Sequence, residues 1–114
     1  MDDCIFCKIA AGTIGTLAYE DDEVAAFDDL NPQAPVHVLI VPKKHITRIS
    51  DVTDGPDACL MGKILVVANR IAAERGISAD GYRIVINCNE GAGQSVWHVH
   101  FHLLGGRQMG WPPG

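Results

Sequence analysis

The sequence predicts an α+β chain: a five-stranded antiparallel meander sheet carrying one long helix and a short N-terminal helix. Three observations lead there. Apolar runs and period-two alternations of strand length recur along the chain, and one segment, residues 56–75, repeats its apolar positions at helical spacing. No internal repeat, low-complexity tract or interdomain linker divides the 114 residues.

Taken in order, Cys4-Ile5-Phe6-Cys7-Lys8-Ile9-Ala10 is short and apolar on several sides, as expected of a helical turn or two lying over a pocket. Ala18 to Phe27 reads as a strand, an acidic turn and a second strand, with Glu20-Asp21-Asp22-Glu23 forming a solvated hairpin tip. Asn31-Pro32 marks the next turn. His37 to Pro42 is a third strand, apolar enough for the middle of a sheet, followed by Lys43 and Lys44 as solvent-exposed charges. From Pro56 to Arg75, Leu60, Met61, Ile64, Leu65, Val67, Ala68, Ile71 and Ala72 recur three and four residues apart. Asp54 and Pro56 fit the start of that helix, and Arg75 and Gly76 its end. The apolar stripe is wide enough for a sheet on one side and a second chain on the other, and Cys59 reads as a small buried residue. Ala79-Asp80-Gly81 turns the chain into a fourth strand, Tyr82 to Asn87, and the fifth carries His98, His100 and His102.

A chain of this length supports one domain, residues 1–114, with an apolar content ordinary for a globular protein. The net charge of −5 argues against a general nucleic-acid surface. Met1-Asp2-Asp3 is acidic with no signal-like apolar run after it, and Val38 to Val41 is too short to span a bilayer. The expectation is a cytoplasmic chain with no membrane partner. Of four cysteines, Cys4 and Cys7 alone are paired in sequence, and a cytosolic C-x-x-C reads as metal-binding or redox rather than as a structural disulfide.

His98, His100 and His102 recur at every second position, with Val99, Phe101 and Leu103 interleaved. On a strand this puts three imidazoles on one face and three apolar groups on the other, whereas a helix would scatter them. Packing gives no reason to choose imidazole three times. It is the side chain suited to proton transfer, nucleophilic attack or metal ligation near neutral pH. Directly upstream, Asn87-Cys88-Asn89-Glu90-Gly91-Ala92-Gly93-Gln94-Ser95 can bring backbone N–H groups and a hydroxyl to an anion. With no Ser or Cys nucleophile accompanying the row, phosphorus is a more natural target than carbon.

Gln94-Ser95-Val96-Trp97-His98-Val99-His100-Phe101-His102 resembles the signature of the histidine-triad (HIT) family. Phe27-Asp28-Asp29-Leu30-Asn31-Pro32-Gln33-Ala34-Pro35, His37 to His45, and the tail from Gly105 to Gly114 with its Trp111-Pro112-Pro113 resemble the Hint branch, the purine nucleoside phosphoramidases. The resemblance runs from about Cys4 to Gly114. It implies a HIT-like fold and a nucleotide pocket in which Ile5, Phe6, Ile9, Phe27 and Leu30 meet the base and Asp29, rather than Asp28, accepts from the ribose diol. Asn87, Gly93, Gln94, Ser95 and Val96 would serve ribose or phosphate. His100 would be the nucleophile toward the α-phosphorus, its tautomer fixed by a backbone carbonyl near His98. His102 would contact a phosphoryl oxygen or shuttle a proton, and His37 would point at the row.

Two thiolates need two more ligands to close a structural zinc site, and His45 and His98 are the candidates; some bacterial members of the family use the matching set. Zinc there would leave His98 no free side chain for catalysis. A redox pair is the competing reading of Cys4 and Cys7. Beside the phosphoramidase stand a dinucleoside-polyphosphate hydrolase using the same histidine, a nucleotide-binding scaffold with incidental hydrolysis, and a zinc-structured interaction module. The small domain, the two-faced helix and the family resemblance imply a homodimer with a sheet continuous across its two-fold axis, Trp111 approaching the partner's pocket.

Overall fold

The computed structural model describes residues 3–114; Met1 and Asp2, the start of the acidic N-terminus read above, lie outside the described residues. Its elements are α1 (Ile5–Ala10), β1 (Tyr19–Glu20), β2 (Val24–Asp28), β3 (Val36–Pro42), α2 (Pro56–Glu74), β4 (Tyr82–Ile86) and β5 (Phe101–Gly105). All five strands form one antiparallel sheet in the order β1-β2-β3-β5-β4. The predicted class holds, but the order departs from a simple meander. After β3 the chain crosses over through α2 to the far edge, lays down β4, and returns with β5 into the gap beside β3. β3 is therefore central and buried along nearly its whole length, which is why its sequence is apolar but for His37.

Period-two alternation divides the sheet's two faces. Val24 and Ala26 of β2, Val38 and Ile40 of β3, and Phe101 and Leu103 of β5 pack with α2 through Leu60, Ile64, Val67, Ala68 and Ile71. Ala25, Phe27, Leu39 and Val41 turn the other way and pack under α1 through Phe6 and Ala10. The α2 face is sealed with apolar groups, so the polar chemistry of β3 and β5 has only the α1 face on which to appear.

α2 begins with Pro56, whose missing N–H is no loss in the first turn, and the cap is Gly55 at φ +118° rather than Asp54. It ends at Arg75 with Gly76 at φ +74°; the amides of Gly76 and Ile77 reach back to the carbonyls of Ala73 and Ala72, and Ile77 drops into the core. Cys59 is exposed, not buried, because it falls one step outside the stripe that starts at Leu60 and Met61. Leu65 and Val66 are exposed as well.

The acidic tip between β1 and β2 is built around one residue. Asp21 Oδ1 accepts from the amides of Glu23 and Val24 at 2.8 and 2.9 Å, and Tyr19 Oη donates to its Oδ2 at 2.7 Å. Partial burial pushes the carboxyl up, but those three hydrogen bonds and the Lys63 charge outweigh it and hold Asp21 at about 2. The stabilisation is thus fully present above the ordinary aspartate value of about 3.9 and is lost as pH falls through the folded value. Asp21→Asn should cost about 1 kcal/mol in urea unfolding at pH 7, discounted for the partial exposure of the group, and the difference from the parent chain should shrink below about pH 4 and vanish only below about pH 2.

Candidate active site

His98 and His100 do not belong to β5, which starts only at Phe101. They lie in the approach to it, His98 at the end of a bend over residues 96–98, and the Val99 amide, donating to the Ile46 carbonyl at 2.7 Å, keeps the approach in step. Val99 enters the α2-side core, and both His98 and His100 face the Phe6 ring on the α1 side. The predicted alternation therefore survives without the predicted strand.

His100 is nearly buried and stands edge-on to Phe6 at a centroid distance of 5.0 Å. Its Nδ1 lies 2.8 Å from the His98 carbonyl oxygen. A carbonyl only accepts, so Nδ1 carries the hydrogen and Nε2 keeps a lone pair. His100 lines a cavity of about 380 Å³ whose walls include Ile5, Phe6, Ile9, Phe27 and Leu39, with Asp29 and Ser95 among its polar groups. Val96 and Leu30 also line it, Leu30 fully exposed at the mouth.

His102 stands beside His100, ring centroids 5.1 Å apart. Leu39 faces His102 across β3 and β5, so His37, two residues before Leu39, is its diagonal neighbour, and His37 Nε2 approaches His102 Nδ1 to 2.9 Å. The Gln33 amide donates to His37 Nδ1 at 3.0 Å. That bond obliges His37 to carry its hydrogen on Nε2 and to donate it to His102 Nδ1, which leaves His102 with its own hydrogen on Nε2. Burial first, then the neighbouring imidazoles of His100 and His37, pull His102 down to about 4 against the opposing pull of Asp29. At neutral pH it is an uncharged donor.

Asp28 and Asp29 separate cleanly. Asp28 is held by both Arg75 nitrogens at 2.8 and 3.0 Å, and that guanidinium lowers its pKa. Asp29 accepts from the Asn31 amide at 2.8 Å and sits 3.5 Å from His37 Nε2, its carboxylate on the cavity wall. Asp29, His37 and His102 are near enough to one another to suggest a cation site. The hydrogen that Gln33 forces onto His37 Nε2 occupies the lone pair such a site would need, so the trio is built as a hydrogen-bond chain.

The glycine-bearing loop bends through Asn89 at φ +68° and Gly93 at φ +92°, with a 3-10 turn over Glu90–Ala92 between them. Several residues expected around the ligand do not line the cavity. Gln94 is buried as a brace: its amide donates to the carbonyls of Thr47 and Val96 at 2.8 and 3.1 Å and its Oε1 accepts from the Asn89 amide. An amide so fully engaged has no donor left for a ligand. Asn87 and Gly93 are not on the cavity wall, and Trp111 is exposed, beside the Arg83 guanidinium. Ile14 and Thr16 line the cavity without having been expected there, since the irregular segment between α1 and β1 gives no periodic signal.

A second cluster adjoins the first. Cys4, Cys7, His45 and His98 bring one ligand atom each within 4.8 Å of the others. His98 Nδ1 lies 3.4 Å from both sulfurs, and His45 Nδ1 lies 3.2 Å from Cys7 Sγ. Tetrahedral zinc, with bonds of about 2.3 Å to sulfur and about 2.0 Å to nitrogen, separates such ligands by about 3.5 Å, so the spacing fits. The tautomer fits too: His98 Nε2 donates to the Pro42 carbonyl at 2.8 Å, which frees Nδ1 as a ligand. Burial, with His45 and His100 nearby, lowers the pKa of His98, keeping it neutral. Burial and Cys4 raise the Cys7 thiol to about 11, the state of a sulfur that gives up its proton only to a cation. His98 was also expected to be catalytic; its completely buried ring is committed on both nitrogens, so it serves His100 through its backbone carbonyl alone.

The HIT domain pattern matches residues 14–109. An uncharacterised HIT-like protein of Synechocystis is 48% identical over 99% of this chain and 98% of its own length. A HIT family hydrolase of Legionella pneumophila superposes with a TM-score of 0.94 at 55% identity, covering 98% of this chain and all of that one. A histidine triad protein of Clostridium difficile gives 0.92 at 48% identity over 96% of each.

Proposed function

The chain belongs to the HIT domain family, and on that premise we propose that it hydrolyses the phosphorus–nitrogen bond of purine nucleoside 5′-phosphoramidates through a nucleotidyl-histidine intermediate. One observation carries the reading: the bond to the His98 carbonyl puts the hydrogen of the neutral His100 ring on Nδ1 and its lone pair on Nε2, in a residue lining a cavity of nucleotide size. The hydrolase named among the similar structures favours the same class of reaction.

In this mechanism the base lies between Phe6, Ile9 and Phe27, and Asp29 accepts from the ribose diol. His100 Nε2 attacks the α-phosphorus in line; an N–P bond forms and the bond to the amine breaks. His102 Nε2–H relays a proton to the departing amine, and the Ser95 hydroxyl stabilises the phosphoryl oxygens. Water then attacks phosphorus and returns its proton to His102, the His100 N–P bond breaks, and a nucleoside monophosphate leaves with both imidazoles restored.

Cys4, Cys7, His45 and His98 would hold zinc, which when bound supplies structural closure; four protein ligands leave no position for a substrate. A homodimer completes the proposal. It is supported by the open edge of β4, the exposed Leu65 and Val66 on α2, and an exposed Trp111 available to a partner's cavity. The four free thiols suit a reducing, cytoplasmic setting, and no helix among the described residues is long and apolar enough to cross a membrane.

Mixing the protein with adenosine 5′-phosphoramidate should release ammonia and, on rapid quench into alkaline denaturant, which spares a phosphorus–imidazole bond, give an intact mass raised by one adenylyl group. Faster turnover of a diadenosine polyphosphate would move the assignment to the dinucleoside-polyphosphate hydrolases. Nucleotide binding without an adduct would reduce the protein to a binding scaffold.

A further inference from the structure

His98 belongs to both clusters at once. Its Nδ1 faces the two thiols, its Nε2 is anchored on Pro42, and its carbonyl oxygen holds the hydrogen of His100. We infer that the Cys4–Cys7–His45–His98 centre is a positioning device for His100, so that metal occupancy sets how often the imidazole stands in its attacking tautomer. The inference rests on the reading of His100 as nucleophile and extends it to what governs that nucleophile.

Two routes connect the centre to the ring. The first is the His98 carbonyl. While it accepts from His100 Nδ1 at 2.8 Å, Nε2 is free of hydrogen. If the His98 backbone turns, that bond is lost and the hydrogen can settle on Nε2, where the ring cannot attack. Without a metal, the His98 ring keeps its bond to Pro42, and its other nitrogen is held only by the thiols, which are weak partners. The second route is α1. Cys4 precedes it and Cys7 lies within it, and the ring of Phe6 between them stands nearly perpendicular to His100, centroids 5.0 Å apart. His98 and His45 come from outside α1, so a bound metal ties that helix to the segments carrying them. Because the Pro42 anchor does not depend on the metal, emptying the centre weakens the alignment of His100 without abolishing it.

The test starts from the zinc-loaded protein, stripped by dialysis against a chelator and then reloaded. On stripping, kcat should fall about tenfold, within the range for losing outer partners of a metal site, with a smaller change in the dissociation constant for adenosine monophosphate. The ¹⁵N shifts of the His100 ring should move from those of a single Nδ1–H tautomer toward an average of the two, and zinc should restore both signals. If stripping unfolds the chain, His45→Gln weakens the metal while leaving α1 and both His98 anchors in place; kcat and the His100 shifts should then rise together as zinc is titrated in. A chain that takes up no metal, or a folded metal-free chain with unchanged kcat and one His100 tautomer, overturns the inference. Absence of turnover in both forms refutes the hydrolase instead, and the ring shifts still decide whether the centre governs His100.

Discussion

Replacing His100 with alanine should lower kcat on adenosine 5′-phosphoramidate by at least about a thousandfold, which is about 4 kcal/mol of barrier. On the proposed mechanism the variant loses the group that forms the covalent intermediate, and among the described residues no neighbouring histidine is placed to take over. His98 has both ring nitrogens engaged, and His102 carries its hydrogen on Nε2 because His37 donates to its other nitrogen. Binding of adenosine monophosphate should be nearly retained, since Phe6, Ile9, Phe27 and Asp29 are untouched and the substitution removes one edge of the cavity. Steady-state kinetics and calorimetry would separate the two effects, and the adduct trapped in alkaline denaturant should disappear. Near-normal turnover in the variant would exclude covalent catalysis at this ring.

The second large effect concerns stability. Ile64→Ala should destabilise the chain by about 2–5 kcal/mol in urea unfolding, as expected when a buried branched side chain is cut back inside a packed layer. Ile64 is completely buried in the middle of α2, against the face of the sheet that receives Val38, Ile40, Phe101 and Leu103. The histidines lie on the opposite face, so kcat per folded molecule should stay within about twofold, the additivity expected of sites without shared partners. A cost below about 1 kcal/mol would mean that α2 sits more loosely on the sheet than its burial implies.

Much of this arrangement was legible in the residues because it depends on period. Alternation at two put the histidines opposite Val99, Phe101 and Leu103, and spacing at three and four located α2 to within a residue. Strand order was not legible: local pattern says that β4 and β5 exist, not that β5 returns between β3 and β4, since pairing is settled between residues far apart in the chain. The strand assignment of His98 and His100 failed for a related reason. The chain bends over residues 96–98, and β3 pairs with β5 no further than Ile40 opposite Phe101, so no ladder reaches the first two histidines. Gln94 was placed at the ligand with the rest of its loop, because sequence does not show the carbonyls of Thr47 and Val96 that its side chain braces. The decisive hydrogen bonds at His37 and His100 come from the backbone of Gln33 and His98, and backbone groups leave no mark in composition.

Cys4 and His98 meet across a separation of 94 residues. A tether that closes so long a loop removes more conformational freedom from the unfolded chain than a short one would, although the gain grows only as the logarithm of its length. Such a non-local contact also raises contact order, which slows folding. Docking of α1 on the approach to β5 requires both ends of the chain, so the first helix in the sequence belongs with the last contacts to be made.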